Sequence, residues 1–293
     1  MKEQIYIVDV FAETPYAGNP LAVVLGADDL SAEIMQKLAA ETNYSESTFV
    51  MSAPEDDGGY RVRVFTPSRE IEFTGHPILG TAWVIRRVMD KGLDTVRLNL
   101  AVGQVPVTFE TGPDGSEAAW FRAPQVSLGP VCSAEPMAAA LGISPGDIDH
   151  RSPIRRCAAG TSAVIVPVRS LDVLRRCRLD LEAYAPLAEQ GFPPLVYLFC
   201  NETHHAVNDL CARFFFDAHG VREDPATGNG AAFLGAYLWA HRIFSETDLS
   251  LRIEQGYEIR RPSLVRLRVR AGGDAPEVNV GGSVIPVVRG ELL

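Results

Sequence analysis

The sequence has no excess of positive charge. Its 293 residues include 27 Lys and Arg against 37 Asp and Glu, so the formal net charge is −10. A nucleic-acid-binding protein normally carries a basic stripe that contacts phosphates. The alternating arginines Arg266, Arg268 and Arg270 are more typical of the solvated face of a strand. We therefore expect no nucleic-acid partner.

Long hydrophobic runs are missing as well. No apolar segment approaches the ~18–20 residues that a membrane-spanning helix needs. The first residues, Met1 to Ile7, enter an alternating strand pattern directly and show no signal peptide. These features predict a cytoplasmic protein without a membrane partner.

Cysteine is scarce and scattered. The five cysteines lie singly in the second half, without a Cys-x-x-Cys pair, at positions Cys132, Cys157, Cys177, Cys200 and Cys211. An odd number of isolated cysteines predicts reduced thiols, with neither a disulfide framework nor a zinc site. His-x-x-x-His, phosphate-loop and complete dinucleotide-binding motifs are also missing, so we expect neither a metal nor a cofactor.

What the sequence does contain is a short element that occurs twice. Thr74-Gly75-His76-Pro77 precedes one apolar stretch, and Thr227-Gly228-Asn229-Gly230 precedes another. A helix without a polar face belongs in a protein interior. The unpaired amides at a helix start bind anions readily. Two such helices in two related halves predict a shared pocket for a carboxylate-bearing molecule.

Many short alternating strands surround the single long apolar helix of each half. Only full enclosure can bury such a helix, which predicts an α+β fold of two pseudo-symmetric halves. In each half a mostly antiparallel sheet would wrap round the helix. We place the halves at residues 1–116 and 117–279, with the active site in the cleft between them. The C-terminal strand, residues 280–293, is a candidate to join the first half.

Three titratable residues are candidates for the chemistry. Glu46 stands at a helix-to-strand junction, where partial desolvation would suit a carboxylate to general base catalysis. His76 lies in the first turn of an apolar helix, whose dipole disfavours an imidazolium. Asp224 precedes the second helix, a favourable place for an acid. Each also has a structural interpretation, a solvated strand end for Glu46 and helix capping for the other two.

Several motifs occur in one order along the chain: Phe11…Gly18-Asn19-Pro20-Leu21-Ala22-Val23-Val24, Asn43-x-x-Glu46-Ser47-x-Phe49-Val50, Arg63-x-Phe65-Thr66-Pro67, Glu70-x-x-Phe73-x-Gly75-His76-Pro77-x-Leu79-Gly80 and Glu223-Asp224-Pro225-Ala226-Thr227-Gly228. Together they resemble the PhzF-like isomerase family of phenazine biosynthesis. The resemblance implies a diaminopimelate epimerase-like fold, in agreement with the architecture inferred from the repeat.

The resemblance also implies a reaction. In the family's phenazine enzyme, the glutamate matching Glu46 moves a proton between carbons of a cyclic, amino-bearing carboxylic acid, without metal, flavin or nucleotide. The histidine and aspartate matching His76 and Asp224 line that site, as do the glycines matching Gly75 and Gly228.

Two asparagines complete the list of candidates. The family commonly has serine where this chain has Asn229, whose amide can hydrogen-bond a carboxylate but cannot relay a proton as a hydroxyl does. Asn19, in a Gly-Asn-Pro turn, is a further candidate for binding substrate.

Our hypothesis is a cofactor-independent isomerase acting on a small carboxylic acid, with a homodimer compatible with the sequence. Glu46 would move the proton, His76 and Asp224 would orient the substrate, and the amides after Gly75 and Gly228 would hold its carboxylate. Two alternatives stay open. One is a racemase-, epimerase- or lyase-type enzyme with Asp224 as a second acid/base. The other is a non-catalytic protein that binds a small acid.

Overall fold

The chain forms two compact units in the computed structural model, which describes residues 3–72, 74–112, 115–216, 222–273 and 275–293. The first unit comprises Met1–Arg122 and Gly281–Leu293, and the second comprises Ala123–Val280. Phe73 of the sequence motif lies outside the described residues. None of the helices in the described part of the chain combines the length and hydrophobicity needed to cross a lipid bilayer.

The first unit contains two α-helices, a 3-10 helix (Ala27–Asp29) and nine strands among its described residues. The α-helices are α1 (Ala32–Thr42) and α2 (Gly75–Val84), the latter continued by a π-helical turn over Ile85–Met89. The strands are β1 (Gln4–Val10), β2 (Asn19–Leu25), β3 (Ser47–Pro54), β4 (Tyr60–Phe65), β5 (Glu70–Ile71), β6 (Thr95–Leu100), β7 (Gly103–Thr111), β8 (Glu117–Arg122) and β18 (Val284–Glu291).

The second unit contains four α-helices among its described residues: α3 (Ala134–Leu141), α4 (Leu171–Arg176), α5 (Leu181–Glu189) and α6 (Gly228–Ala240). Its strands are β9 (Ser127–Cys132), β10 (Ile154–Ala159), β11 (Thr161–Pro167), β12 (Val196–Cys200), β13 (Leu210–Phe215), β14 (Glu223–Asp224), β15 (Leu249–Gln255), β16 (Ser263–Arg270) and β17 (Glu277–Gly282), the last of which ends beyond the unit boundary.

The unit boundary lies six residues later than the position inferred from the sequence. The sequence placed residues 117–122 in the second half, whereas the structure assigns β8 to the first unit. The reason is its antiparallel pairing with β7, which connects Val107 to Phe121 and Thr111 to Glu117. The C-terminal strand β18 also belongs to the first unit, where it pairs antiparallel with β1.

The same order of strand pairings occurs in both units. In the first, β1–β2 is antiparallel, β2–β3 parallel, β3–β4 and β4–β5 antiparallel, β4–β6 parallel and β6–β7 antiparallel. In the second, β10 to β16 repeat this sequence of directions without exception. In each unit the apolar helix follows a short strand in the sequence. This strand is β5 in the first unit, where it pairs with β4, and β14 in the second unit, where it pairs with β13. The described residues therefore form an α+β fold built twice on one plan.

Each apolar helix is buried along nearly its whole length. In the first unit α2 contacts β1, β2, β3, β6, β7, β8 and β18, and every residue of the helix except Trp83 is buried. In the second unit α6 contacts β10, β11 and β16. Burial on all sides explains why neither helix has a polar face, because any charged side chain would lose its hydration without gaining a partner.

Glycines allow the strands to approach these helices. A Cβ added to Gly80 of α2 would lie 2.6 Å from Leu21 Cδ2 and 2.8 Å from Val10 Cγ2. A Cβ added to Gly235 of α6 would lie 3.1 Å from side-chain atoms of three residues on β16 and β17, including Leu267. The helix glycines therefore serve close packing, with Gly80 the tighter of these two.

We predict that Gly80→Ala destabilises the protein by about 1–3 kcal/mol, the usual cost of forcing an extra carbon into a packed core. Gly235→Ala should cost less, because its neighbours need to move only a few tenths of an ångström. Gly146→Ala is the control, since no atom lies within 4 Å of the added Cβ. Denaturant unfolding measures all three, and equal effects at Gly80 and Gly146 would contradict the packing argument.

Candidate functional site

Glu46 is held between a helix end and a buried strand. Ser31 caps α1, its hydroxyl accepting a hydrogen bond from the Ile34 amide, and Asn43 is the C-cap of the helix. Asn43 adopts a left-handed conformation (φ 52°), which turns the chain sharply out of the helix. Glu46 lies directly before β3 and is only 7% exposed. A solvated strand end, the structural interpretation of this residue, is therefore wrong.

His76 is the second residue of α2 and is 3% exposed. The Asn19 side-chain nitrogen at the start of β2 lies 3.2 Å from His76 Nδ1. An amide nitrogen can only donate, so Nδ1 accepts and the proton of the neutral ring sits on Nε2. Burial lowers the pKa of His76 from 6.5 to about 3, which keeps the ring neutral near pH 7.

These side chains converge on one another within the first unit. His76 Nε2 lies 3.6 Å from Glu46 Oε2, with both groups buried. Thr74, directly before α2, donates its hydroxyl to Glu46 Oε1 at 3.4 Å. Gly75 is the first residue of the same helix. The structure therefore brings together four of the candidates, Asn19, Glu46, Gly75 and His76, around the start of a buried helix.

The other three candidates form a group in the second unit. Asp224 ends β14 and is 8% exposed, while Gly228 and Asn229 are the first two residues of α6. The Thr227 hydroxyl donates a hydrogen bond to Asp224 Oδ2. A side-chain hydrogen bond to the candidate acid therefore spans the turn between β14 and α6.

Gln255, at the end of β15, is the main support of this turn. Its side-chain nitrogen donates to the Asp224 carbonyl oxygen at 2.8 Å and to Thr227 Oγ1 at 3.1 Å. Its side-chain oxygen accepts from the Thr227 amide and from the Tyr197 hydroxyl, each at 3.3 Å. The nitrogen and the oxygen of this buried side-chain amide therefore both stabilise the turn.

An arginine–glutamate pair holds each of the two short strands. In the first unit Arg63 makes two hydrogen bonds of 2.7 Å to Glu70. In the second unit Arg213 pairs with Glu223 at 2.9 and 2.7 Å, and it also donates to the carbonyl oxygens at the end of α4. Such two-point contacts fix geometry as well as charge. Because Glu223 precedes Asp224, the second pair positions the candidate acid.

The sequence reasoning missed the contributions of Thr74, Thr227, Gln255 and Arg213. Both threonines stand in the repeated element, directly before its glycines, and this position was the available signal. Gln255 carried no local signal, since it lies 28 residues from Thr227 and meets it only through the sheet. The pairing of Arg213 with Glu223 depends on the register of β13 and β14.

One cluster offers metal-binding side chains. His204, Cys211 and Glu254 of the second unit have ligand atoms within 4.8 Å of one another. The Glu254 oxygens, however, accept hydrogen bonds from the His204 and His205 amides and from Asn208. Burial also raises the pKa of the Cys211 thiol, which disfavours the thiolate that a metal needs. The cluster therefore fits a structural role, holding the loop between β12 and β13.

Comparison with known proteins identifies what the chain is similar to. A family model described as phenazine biosynthesis-like protein matches residues 8–290. A trans-2,3-dihydro-3-hydroxyanthranilate isomerase of Pseudomonas aeruginosa is 35% identical over 290 residues, which cover 98% of each chain. The crystal structure of a PhzF-family phenazine biosynthesis protein from Bacillus anthracis has 27% identity and a TM-score of 0.90, covering both chains completely.

A more distant similarity supports the fold alone. A hydroxyproline epimerase from Agrobacterium vitis is 12% identical, with a TM-score of 0.61 over 100% of this chain and 94% of its own. The α+β architecture expected from the sequence is thus confirmed, and it matches the epimerase-like fold.

The neutral His76 predicts a loss of stability in acid. Its pKa is 6.5 in the unfolded chain and about 3 in the folded one, so between these values only the unfolded chain binds the proton. The free energy of unfolding therefore has its full value above pH 6.5 as far as His76 is concerned. It falls as the pH drops towards 3, by up to about 1.4 kcal/mol per pH unit. Denaturant unfolding at pH 7.5 and 5 should show a weaker pH dependence for His76→Gln than for the wild type.

The exposed His150→Gln is the matched control for removing one histidine. The same pH dependence in wild type and His76→Gln would show that His76 does not resist protonation in the folded state.

Proposed function

The chain belongs to the phenazine biosynthesis-like protein family and is an isomerase, and from this premise we propose that it moves a proton between two carbons of a small carboxylic acid without a cofactor. The observation that carries the proposal is the buried Glu46 carboxylate beside a neutral imidazole at the start of α2. A carboxylate, a neutral ring and helix-start amides around one point support this proposal, in which the carboxylate is the base.

Glu46 is the acid/base of the proposed mechanism. Its carboxylate takes a proton from a carbon next to a double bond or carbonyl group, and the electron pair left behind spreads into that group. The carboxylic acid then returns the proton to another carbon, so the double bond moves and the atoms balance. A general base of this kind typically contributes a factor of about 10²–10⁴ to the rate.

His76 supports this step without changing its own charge. Its Nε2–H faces Glu46 Oε2 at 3.6 Å and can hydrogen-bond the carboxylate or the substrate. With a pKa of about 3, the ring does not act as a cationic acid near neutral pH. Asn19 keeps the ring oriented through Nδ1.

The helix starts supply the proposed anion site. The amides of Gly75 and His76 lie at the positive end of α2, which favours a carboxylate or a developing negative charge. Contributions of Asp224, Gly228 and Asn229 to the same substrate stay predictions, as do a cytoplasmic location and a homodimer. Because a relative is named for trans-2,3-dihydro-3-hydroxyanthranilate, we propose a cyclic amino and hydroxy carboxylic acid of that type as substrate.

Incubation with trans-2,3-dihydro-3-hydroxyanthranilate in heavy water tests the proposal. Deuterium in a product with a shifted double bond is the expected outcome. Deuterium in a recovered, epimerised acid would favour a racemase- or epimerase-type reaction. Binding of the acid without exchange of any carbon-bound proton would indicate a binding protein instead.

We predict that Glu46→Gln lowers turnover by at least about 10²-fold, because the amide cannot accept the proton although its shape is nearly unchanged. Folding and substrate binding should persist, as judged by thermal unfolding and calorimetry. Glu41→Gln is the matched control, the same change at an exposed position on α1. Full activity of Glu46→Gln would remove this residue from the mechanism.

We also predict that activity survives treatment with EDTA followed by dialysis. The proposed step needs only a carboxylate, an imidazole and helix-start amides, and the Glu254 oxygens at the one described metal-capable cluster are engaged by hydrogen bonds. Activity before and after chelation is the measurement. A loss that one added divalent metal reverses would refute the prediction.

A further inference from the structure

Both buried helices begin after a threonine that does not cap them. A threonine at this position normally accepts a hydrogen bond from an amide in the first helical turn. Neither Thr74 before α2 nor Thr227 before α6 does so. By contrast, Ser31 before α1, Ser170 before α4 and Asp180 before α5 each accept such a bond. Ser133 before α3 does not.

The hydroxyls of these two threonines make the same kind of contact instead of a helix cap. Thr74 Oγ1 donates to the carboxylate of Glu46, and Thr227 Oγ1 donates to the carboxylate of Asp224. The acids come from different places in the two units. Glu46 precedes β3, whereas Asp224 ends β14. The residue of the first unit that occupies the position equivalent to Asp224 is Ile71 on β5, as the strand pairings show. The two units therefore share a threonine whose hydroxyl donates to a carboxylate. The carboxylate itself comes from a different position in each unit.

Local chemistry explains why each hydroxyl turns away from its helix. In α2 the third helical residue is Pro77, which has no N–H for a cap to accept. In α6 the Gln255 nitrogen donates to Thr227 Oγ1. The single proton of this hydroxyl is donated to Asp224. The accepting contact and the donating contact together direct Oγ1 away from the first turn of α6.

We propose that Thr74 and Thr227 are positioning residues, each of which holds one candidate carboxylate by its hydroxyl and leaves the first-turn amides of its own helix open to an anion. This inference rests on the proposed function for the role of the two acids. The hydroxyl contact limits the rotation of a buried carboxylate and so keeps its oxygens aimed. A side-chain cap on the same helix would compete with a bound anion for the amides.

The contact itself is tested by double-mutant cycles on stability, which need no substrate. Thermal unfolding is measured for Thr74→Val, Glu46→Ala and the double variant, and likewise for Thr227→Val and Asp224→Ala. If each threonine acts on its acid, most of the shift caused by the valine disappears once the acid is alanine. If it acts on the helix, the two shifts add, as they do for independent sites.

Matched control cycles combine Ser31→Ala with Glu46→Ala and Ser170→Ala with Asp224→Ala. These serines cap their helices, so additive shifts are expected. Additive shifts at Thr74 and Thr227 as well would overturn the proposal. Where an alanine variant does not fold, Glu46→Gln or Asp224→Asn replaces it in the cycle. A neutral amide accepts a weaker hydrogen bond than a carboxylate, so it should reduce the shift caused by valine.

The role in the reaction is tested by exchange of substrate protons in heavy water. Thr74→Val should lower kcat about 10-fold, the effect of one hydrogen bond to a charged group, with KM changed far less. Thr74→Ser should restore kcat. A rise in KM alone would assign Thr74 to substrate binding and overturn its positioning role. Lack of exchange in the wild type would refute the proposed function, while the stability cycles would still decide the contact.

Discussion

The constraint on which the structure depends is the burial of two helices that have no polar side. Such a helix is stable only where apolar groups surround it, so each unit must wrap strands around it. Enclosure covers the length of the helix and leaves its ends as the places where backbone groups still need partners. The start of α2 lies beside a carboxylate, an imidazole and an amide, and the start of α6 lies beside Asp224. The candidate chemistry therefore gathers where the packing leaves amides uncapped.

Burial also decides the charge states at this place. An imidazolium would lose its hydration inside the first unit, and so the pKa of His76 falls to about 3. A buried carboxylate has a similar cost, which is offset at Glu46 by the Thr74 hydroxyl and the nearby ring. A neutral histidine beside a glutamate is suited to moving one proton, because only one of the two groups changes its charge.

The repeated plan carries different side chains at equivalent positions of the two units. The strand registers place Ser47 opposite Phe65 in the first unit and Val196 opposite Phe215 in the second. The residue before Val196 is Leu195, so the second unit carries a leucine where the first has Glu46. The arginine–glutamate pair that holds the short strand is kept in both units. The scaffold is thus repeated, whereas the candidate groups differ.

Local sequence determined most of the elements and the candidate list. The repeated Thr-Gly element and the apolar stretches after it located both apolar helices, because such patterns depend on neighbours along the chain. The strands Ser127–Cys132 and Ile154–Ala159 and helix α4 were not predicted, since their stability comes from packing against distant segments. Only tertiary structure decided that Glu46 meets His76 and that Gln255 supports Thr227. Such contacts join residues far apart in sequence, and their geometry is set by strand register and by the enclosure of the helices, which no local pattern encodes.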